Sequence, residues 1–138
     1  MVKYKAPLRE YEFILREVLG IEKELGSYPE YSEATWDMIE MISEQFAKIN
    51  EDYWLPSAKV GDEVGVKFED GNVIVPESMK EATNVVIEGG LTQLFGHQEY
   101  GGMEFPNVIN VLSDEMSCAA NMSLGIYLGL TKGAYHCI

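Results

Sequence analysis

The sequence is poor in cysteine and in basic residues, and each shortage excludes a class of protein. Two cysteines, Cys118 and Cys137, are too few for a disulfide framework, so we expect reduced thiols in a cytoplasmic protein. Ten basic residues against 23 acidic ones give a net charge of −13, which argues against binding to nucleic acid or to an anionic membrane. The first residues, MVKYKAPLREYEF, lack the apolar core of a signal peptide, so export is not predicted.

Motifs of catalytic and metal sites are also missing. The chain has no HExxH, CxxC, P-loop, GxGxxG or GxSxG pattern, and its two histidines, His97 and His136, lie far apart. Asp114 and Glu115 are adjacent on a predicted helix, where neighbouring side chains point about 100° apart and do not face one another. Cys118 has no cationic neighbour in the sequence that would activate its thiol. We therefore predict no catalytic residue, no cofactor-binding residue and no metal site in this chain.

Apolar residues recur at helical spacing along most of the first half of the chain. Residues 8–19 predict a first helix, which Gly20 stops. Residues 36–53 carry an apolar stripe over about five turns and predict a second helix. Ser32 is the expected N-cap of this helix, and Pro56 is expected to lie beyond its end.

A short region in the middle of the chain has the pattern of a β-hairpin. Residues 64–68 and 73–75 flank the pair Asp70-Gly71, which is typical of a tight hairpin turn. The remaining segments are predicted as a polar link over 20–31 and as helices over 77–88, over 91–95, from about 107 to 128, and after Thr131. The fold class is therefore mainly α, with one short β-hairpin.

The last third of the chain is its most apolar part and contains a row of glycines spaced four apart, at positions 125, 129 and 133. Residues at this spacing share one side of a helix, where each glycine costs roughly 1 kcal/mol relative to alanine. The row predicts close approach of either another helix or a slender acyl-like ligand, and both interpretations stay open here. The apolar residues suitable for lining such a slot are Met122, Ile126 and Leu128.

Small residues spaced four apart also occur in dimers of membrane helices, which makes a membrane span an alternative for this segment. Lys132, however, is central to its second half, and no basic flank follows it. We therefore do not predict a membrane span.

Four groups of residues in a fixed order carry a resemblance to a known family. They are YKAP near the start, GD..G with EDG.V..P in the middle, GGL and EYGG before Pro106, and ANMSLGIYLGLTKGAY towards the end. Together they resemble the N-terminal helical domain of an acyl-CoA dehydrogenase, in the subgroup typified by 3-methylmercaptopropionyl-CoA dehydrogenase. The resemblance spans Tyr4 to Ile138 and implies an extension helix over 1–30 and a main helical part over 31–138.

The family resemblance implies what the whole enzyme does and which share falls to this chain. Such enzymes remove a proton from Cα and a hydride from Cβ of an acyl-CoA thioester and pass the hydride to FAD, and an electron-transferring protein is the expected partner. The catalytic glutamate and the main FAD contacts belong to a middle β domain and a C-terminal helical domain, which this chain is expected to lack. The residues that match the wall of the acyl pocket are Asn121, Met122, Leu124, Gly125 and Leu128.

Two functions are therefore compared below. In the first, the chain is a domain of an acyl-CoA dehydrogenase, forms one wall of the acyl pocket and is inactive alone. In the second, it is a free-standing helical module that binds an acyl chain or a partner subunit. Because the apolar last third would leave a large exposed patch on an isolated domain, we expect self-association.

Overall fold

The computed structural model describes residues 3–135 and residue 137, and the chain is mainly α with one β-hairpin, as predicted. The helices in the described residues are α1 (Leu8–Glu12), α2 (Ile21–Leu25), α3 (Trp36–Ile49), α4 (Leu55–Val64), α5 (Glu77–Glu88) and α6 (Asn107–Tyr135). The strands are β1 (Lys67–Glu69) and β2 (Asn72–Ile74). Short π-helical segments lie at Phe13–Val18 and Asn50–Trp54, and 3₁₀ turns lie at Pro29–Tyr31, Leu91–Gln93 and Gln98–Tyr100. No helix in these residues is both long and apolar enough to cross a membrane.

The N-terminal segment is helical as predicted, and its first helix ends before Gly20, but a second short helix follows directly. This glycine adopts φ +61°, a left-handed conformation that ends the first helix. The next residues then form α2, where a polar link was predicted. The prediction was wrong because Ile21 and Leu25, four residues apart, are both buried and give this single turn an inward apolar side.

The second predicted helix is longer than its sequence pattern suggests. It begins at Trp36 after Thr35, whose Oγ1 accepts a hydrogen bond from the amide of Met38 at 3.4 Å, so Thr35 and not Ser32 is its N-cap. It continues through the π-helical segment into α4, and Pro56 lies inside it. Pro56 is the second residue of α4, directly after the π-helical turn that ends at Trp54, so its missing N–H falls where the hydrogen-bond register of the helix changes.

The predicted hairpin forms around the predicted turn. Asp70 and Gly71 have φ of +50° and +79°, and the strands pair antiparallel with Phe68 opposite Val73. The first strand is shorter than predicted because Val64 belongs to the end of α4, and the second strand is shifted by one residue. Every strand residue is exposed.

The last helix departs most from the prediction. α5 has the predicted bounds, and the predicted helix over 91–95 is a 3₁₀ turn, but α6 is interrupted at Asn121, whose φ and ψ are −155° and 92°. The predicted helix to Leu128 and the separate helix after Thr131 are therefore both wrong. Lys132 in the second half contacts Asp114 in the first half, which shows that the chain reverses its direction at Asn121. The two halves, residues 107–120 and 122–135, form a helical hairpin.

The core lies between α3, α4, α5 and the first half of α6. Trp54 is almost completely buried there, and its indole N–H donates to the carbonyl oxygen of Ala82 in α5 at 2.9 Å. The N-terminal segment joins the same core through Tyr11 and Leu15, so α1 packs against the main helical part. The division into an extension over 1–30 and a main part over 31–138 stays a prediction.

Candidate functional site

A cavity of about 510 Å³ lies between the two halves of α6 and the segment 91–102, and we call it the α6 cavity. Its volume is in the range of small-molecule sites. Most of its lining is apolar, and its deep part is formed by buried residues of the core, Phe46, Trp54 and Val86. Leu91, Phe95 and Leu128 complete the apolar wall. The α6 cavity is therefore suited to an apolar ligand.

The loop that covers the α6 cavity is held closed by its own backbone. The amides of Met103, Glu104 and Phe105 donate to the carbonyls of Gln93, Gly96 and Leu94 at 2.9, 3.0 and 2.7 Å. A side chain at position 102 could not fit, because a Cβ there would lie 1.9 Å from the carbonyl oxygen of Gly96. Gly101 has φ +82°, and the Gly-Gly pair forms a tight turn.

One end of the α6 cavity is polar. The ammonium group of Lys132 donates to Asp114 Oδ2 at 2.6 Å and to Asn110 Oδ1, and it lies 5.6 Å from the centre of the Phe95 ring. Asn110 is buried, whereas the side chains of Lys132 and Asp114 are 27% and 58% exposed. This end is thus a half-open mouth whose charges are paired.

The acidic pair on α6 behaves as predicted, since its two members face different neighbours. Asp114 binds Lys132, and Glu115 Oε1 accepts a hydrogen bond from the hydroxyl of Tyr11 at 3.0 Å. Burial, and secondarily this hydrogen bond, raises the pKa of Tyr11 well above its ordinary value. Glu115 therefore anchors the N-terminal segment and is turned away from Asp114.

Asn121 and Leu124, two of the five predicted pocket residues, are buried but do not line the α6 cavity. The side-chain Nδ2 of Asn121 donates to Ser57 Oγ at 3.0 Å and to the carbonyl oxygen of Trp54 at 3.4 Å. Its Oδ1 accepts from the amide of Leu124 at 3.4 Å, so Asn121 is the N-cap of the second half of α6. The structure thus places these two residues where the helix is anchored.

The other three predicted residues lie on two different surfaces. Gly125 and Leu128 line the α6 cavity, whereas Met122 is 59% exposed on the outside of the helix. Ile126 and Leu130 are exposed beside it, and we call these three residues the outer face of α6. The five predicted residues therefore do not share one surface.

The glycine row is tightly packed at one position only. A Cβ at Gly125 would lie 3.1 Å from the Sγ of Cys118, in the facing half of α6. A Cβ at Gly129 or Gly133 would meet no atom within 4 Å. Close helix–helix approach therefore explains Gly125, and the open space at Gly129 belongs to the α6 cavity.

Several lining residues were missed by sequence reasoning. Trp54, Phe95 and Asn110 come from three separate segments, and no local pattern links them. Lys132 could have been found, because it is the only lysine or arginine after Lys80 and lies in an otherwise apolar segment.

A metal site is not seen in the described residues, where no group of three or more His, Cys, Asp and Glu side chains converges. His97 contacts Glu104 instead, with Nε2 and Oε1 3.0 Å apart, and its Nδ1 accepts from the amide of Glu99. The other histidine of the sequence, His136, lies outside the described residues. Cys118 and Cys137 are both unpaired thiols.

Comparison with known proteins gives a consistent result. The chain is 31% identical to 3-methylmercaptopropionyl-CoA dehydrogenase of Ruegeria pomeroyi over 131 residues. These residues make up 95% of this chain and 22% of that enzyme. It is 28% identical to a broad-specificity linear acyl-CoA dehydrogenase of Mycobacterium tuberculosis, over 94% of this chain and 21% of the enzyme. It is 32% identical to a butyryl-CoA dehydrogenase of Syntrophomonas wolfei, over 95% of this chain and 22% of that enzyme. No family model matches the chain.

The chain thus spans about a fifth of the length of the curated relatives that it matches. These relatives differ in the acyl group that their names specify, yet all are acyl-CoA dehydrogenases and each is matched along nearly all of the present sequence. The mainly α fold with a single hairpin agrees with the fold that the sequence resemblance implied. This relationship to acyl-CoA dehydrogenases, over 95% of the chain, fits a domain of such an enzyme.

Proposed function

We propose that the chain is the N-terminal helical domain of an FAD-dependent acyl-CoA dehydrogenase, which carries out α,β-dehydrogenation of acyl-CoA thioesters. In this proposal the domain forms one wall of the acyl pocket and is inactive alone. The observation that carries the proposal is the alignment of 95% of the chain with about a fifth of enzymes of this class. The same alignment favours a domain of an enzyme over a free-standing helical module.

The α6 cavity supports an acyl ligand by its shape and its lining. We propose that Gly125 and Leu128 contact the acyl chain, since both line the cavity beside the buried core. Asn121 and Leu124 would act indirectly by fixing the start of the helix that carries them. Met122, on the outer face of α6, would contact ligand only where the pocket continues between this domain and the rest of the enzyme.

FAD is part of the proposal for the whole enzyme, where it accepts the hydride. The lining of the α6 cavity does not fit its pyrophosphate, because that group carries two negative charges and the lining offers a single cation, Lys132, beside the carboxylate of Asp114. The glycines at 96, 101 and 102 are used in closing their own loop. We therefore assign no FAD contact to these residues.

The proposal is tested on the complete gene product that contains this sequence. With acyl-CoA, FAD and an electron acceptor, the complete product should oxidise acyl-CoA, and the isolated 138-residue chain should not. Turnover that follows the purified chain would contradict the assigned role, and so would a complete product that binds no flavin and oxidises no acyl-CoA.

A matched pair of substitutions tests the acyl wall in the same product. Gly129→Leu should lower kcat/KM for long acyl groups more than for short ones, because the new side chain enters the α6 cavity from an open position. Gly133→Leu is the control, since this glycine is also open but is not among the lining residues. Equal effects of the two variants, or equal loss for all chain lengths, would argue against the cavity as the acyl site.

Self-association and location complete the proposal. The outer face of α6 is apolar and exposed, so we propose that the isolated chain self-associates and that other parts of the enzyme cover this face in the complete product. Light scattering across the micromolar range measures this, and a clean monomer would contradict it. An electron-transferring protein partner and a cytoplasmic location, which the two free thiols favour, belong to the same proposal.

A further inference from the structure

The α6 cavity has an apolar side and a polar side. The apolar residues Phe46, Trp54 and Val86 of the lining have exposed fractions of 6%, 2% and 5%, and the polar lining residues Asn110 and Ser113, which lie next to Asp114 on the first half of α6, are buried to the same extent. The mouth contains Lys132, with a side chain that is 27% exposed, and Asp114, at 58%. A ligand with an apolar tail and a polar head would therefore enter tail first and leave its head beside Lys132.

Lys132 is suited to hold such a head. Its ammonium group has three N–H donors, and two of them are used by Asn110 and Asp114. Its contact with the ring of Phe95 keeps the ammonium at the border between the polar and apolar parts of the lining. It is the only cation among the described residues that line the α6 cavity, in a chain whose net charge is −13.

Asp114 is the natural competitor for an anionic head. An ion pair as exposed as Lys132–Asp114 contributes little to stability. A ligand carboxylate can therefore share Lys132 with Asp114, or take the place of Asp114, at a small cost in free energy. Removal of the charge of Asp114 alone should therefore make Lys132 more available to a ligand.

We propose that the α6 cavity binds an unesterified acyl carboxylate, with the hydrocarbon tail on the apolar side and the carboxylate at Lys132. This inference rests on the proposed function only in sharing the tail site with the acyl group of acyl-CoA. It adds a head-group contact and a second ligand class, a free fatty acid, which would compete with acyl-CoA for the same tail site.

The test uses the complete gene product that contains this sequence and measures binding of decanoate and of decanol, both below their aggregation concentrations, by calorimetry. Decanoate should bind more tightly than decanol to the unchanged chain. Lys132→Met should weaken decanoate binding about tenfold and leave decanol binding unchanged, because only the carboxylate loses a charge-assisted hydrogen bond. Asp114→Asn should strengthen decanoate binding, since it removes a competing and repelling charge.

Two controls separate this role from a structural one. Lys59→Met makes the same change in charge at an exposed helix position, where Lys59 pairs with Glu63, and should alter neither affinity. Gly129→Leu should weaken both ligands together by filling the tail site. A purely structural ion pair predicts instead that Asp114→Asn and Lys132→Met have effects of the same sign.

The proposal is overturned if decanol binds as tightly as decanoate, if Lys132→Met weakens both ligands equally, or if Asp114→Asn fails to strengthen decanoate binding. None of these results depends on turnover. A complete gene product without dehydrogenase activity would therefore refute the proposed function and leave this inference standing. An active product in which Lys132→Met weakens both ligands equally would refute this inference and leave the proposed function standing.

Discussion

The two halves of α6 have the same length and a similar share of apolar residues, but they are buried very differently. In residues 107–120, Ile109, Met116 and Ala120 have exposed fractions of 1%, 1% and 4%. In residues 122–135, Leu124 is the one apolar residue buried to this extent, at 3%. The large apolar residues Met122, Ile126, Tyr127 and Leu130 are 59%, 54%, 66% and 69% exposed.

The difference follows from the arrangement of the apolar residues around each helix. The first half has one mainly apolar side, at positions 109, 112, 116 and 120, which also includes the buried Ser113, so one contact with the core buries this side. The second half is apolar nearly all round, and a helix of this kind is fully buried only when it is covered on every side. Here one side meets the core, a second meets the α6 cavity and a third faces outward.

The largest expected effect comes from the same substitution made in each half. Met116→Ala should lower the free energy of unfolding by about 3 kcal/mol, because it leaves a void in a close-packed core. Met122→Ala should change it by less than about 0.5 kcal/mol, since Met122 is mostly exposed. Urea denaturation of both variants measures the contrast, and equal losses would mean that the second half is buried like the first.

The junction between the halves gives the next effect in size. Asn121→Ala should lower the free energy of unfolding by about 2 kcal/mol, because it removes the helix N-cap and the hydrogen bond to Ser57. Asn121→Ser keeps a capping oxygen but loses the amide, so its loss should be about half as large. Equal losses in the two variants would show that the cap contributes nothing.

This junction also marks how far the sequence could predict the fold. α5 was predicted with its observed bounds because Pro76 and Gly89 mark its ends locally, and the hairpin because Asp70-Gly71 is a strong turn signal. Asn121 lies in an apolar run whose helical spacing continues on both sides of it. Its partners are 64 and 67 residues away in the sequence, so the break depends on tertiary contacts that no local pattern reports.

The candidate site was predictable to a similar, limited extent. The glycine row pointed to Gly125 and, as apolar lining beside it, to Met122, Ile126 and Leu128, because unexplained glycines in a helix indicate space or close approach. Gly125 and Leu128 do line the α6 cavity, whereas Met122 and Ile126 lie on the outer face. The opposite wall depends on the loop that Gly96 and Gly102 close by backbone contact, which brings Phe95 to the cavity. Long-range closure of this kind leaves only a Gly-Gly pair as its trace in the sequence.

The first half of α6 is also fastened to the N-terminal segment, and this contact should make stability depend on pH. Burial and the hydrogen bond to Glu115 raise the pKa of Tyr11 above 10.0, and burial with the charges of Glu115 and Glu51 also raises that of Tyr4. The folded chain thus holds these protons more tightly than the unfolded chain. The resulting stability is fully present below about pH 10 and is lost as the pH rises further.

Urea denaturation between pH 9 and 11 should therefore show stability falling above about pH 10, by less than the loss in Asn121→Ala. Tyr11→Phe should reduce this dependence, and the variant that also carries Tyr4→Phe should remove most of it. A dependence that is unchanged in the double variant would assign it to other groups. Met122 does not titrate and is mostly exposed, so Met122→Ala should leave the pH profile unaltered.

The smallest effect separates the glycines of the second half. Gly129→Ala should raise the free energy of unfolding by about 0.5–1 kcal/mol, because its Cβ meets no atom within 4 Å and alanine favours the helix. Gly125→Ala should give no such gain, since its Cβ would lie 3.1 Å from Cys118 Sγ. In a Cys118→Ala background that sulfur is absent and the remaining neighbours are at ordinary distances, 3.5 and 3.6 Å, so Gly125→Ala should then stabilise as Gly129→Ala does. Thermal unfolding of the unchanged chain, of Gly125→Ala, of Cys118→Ala and of the variant with both substitutions forms a double-mutant cycle. Zero coupling between positions 118 and 125 would mean that the two halves of α6 do not approach here as closely as the structure shows.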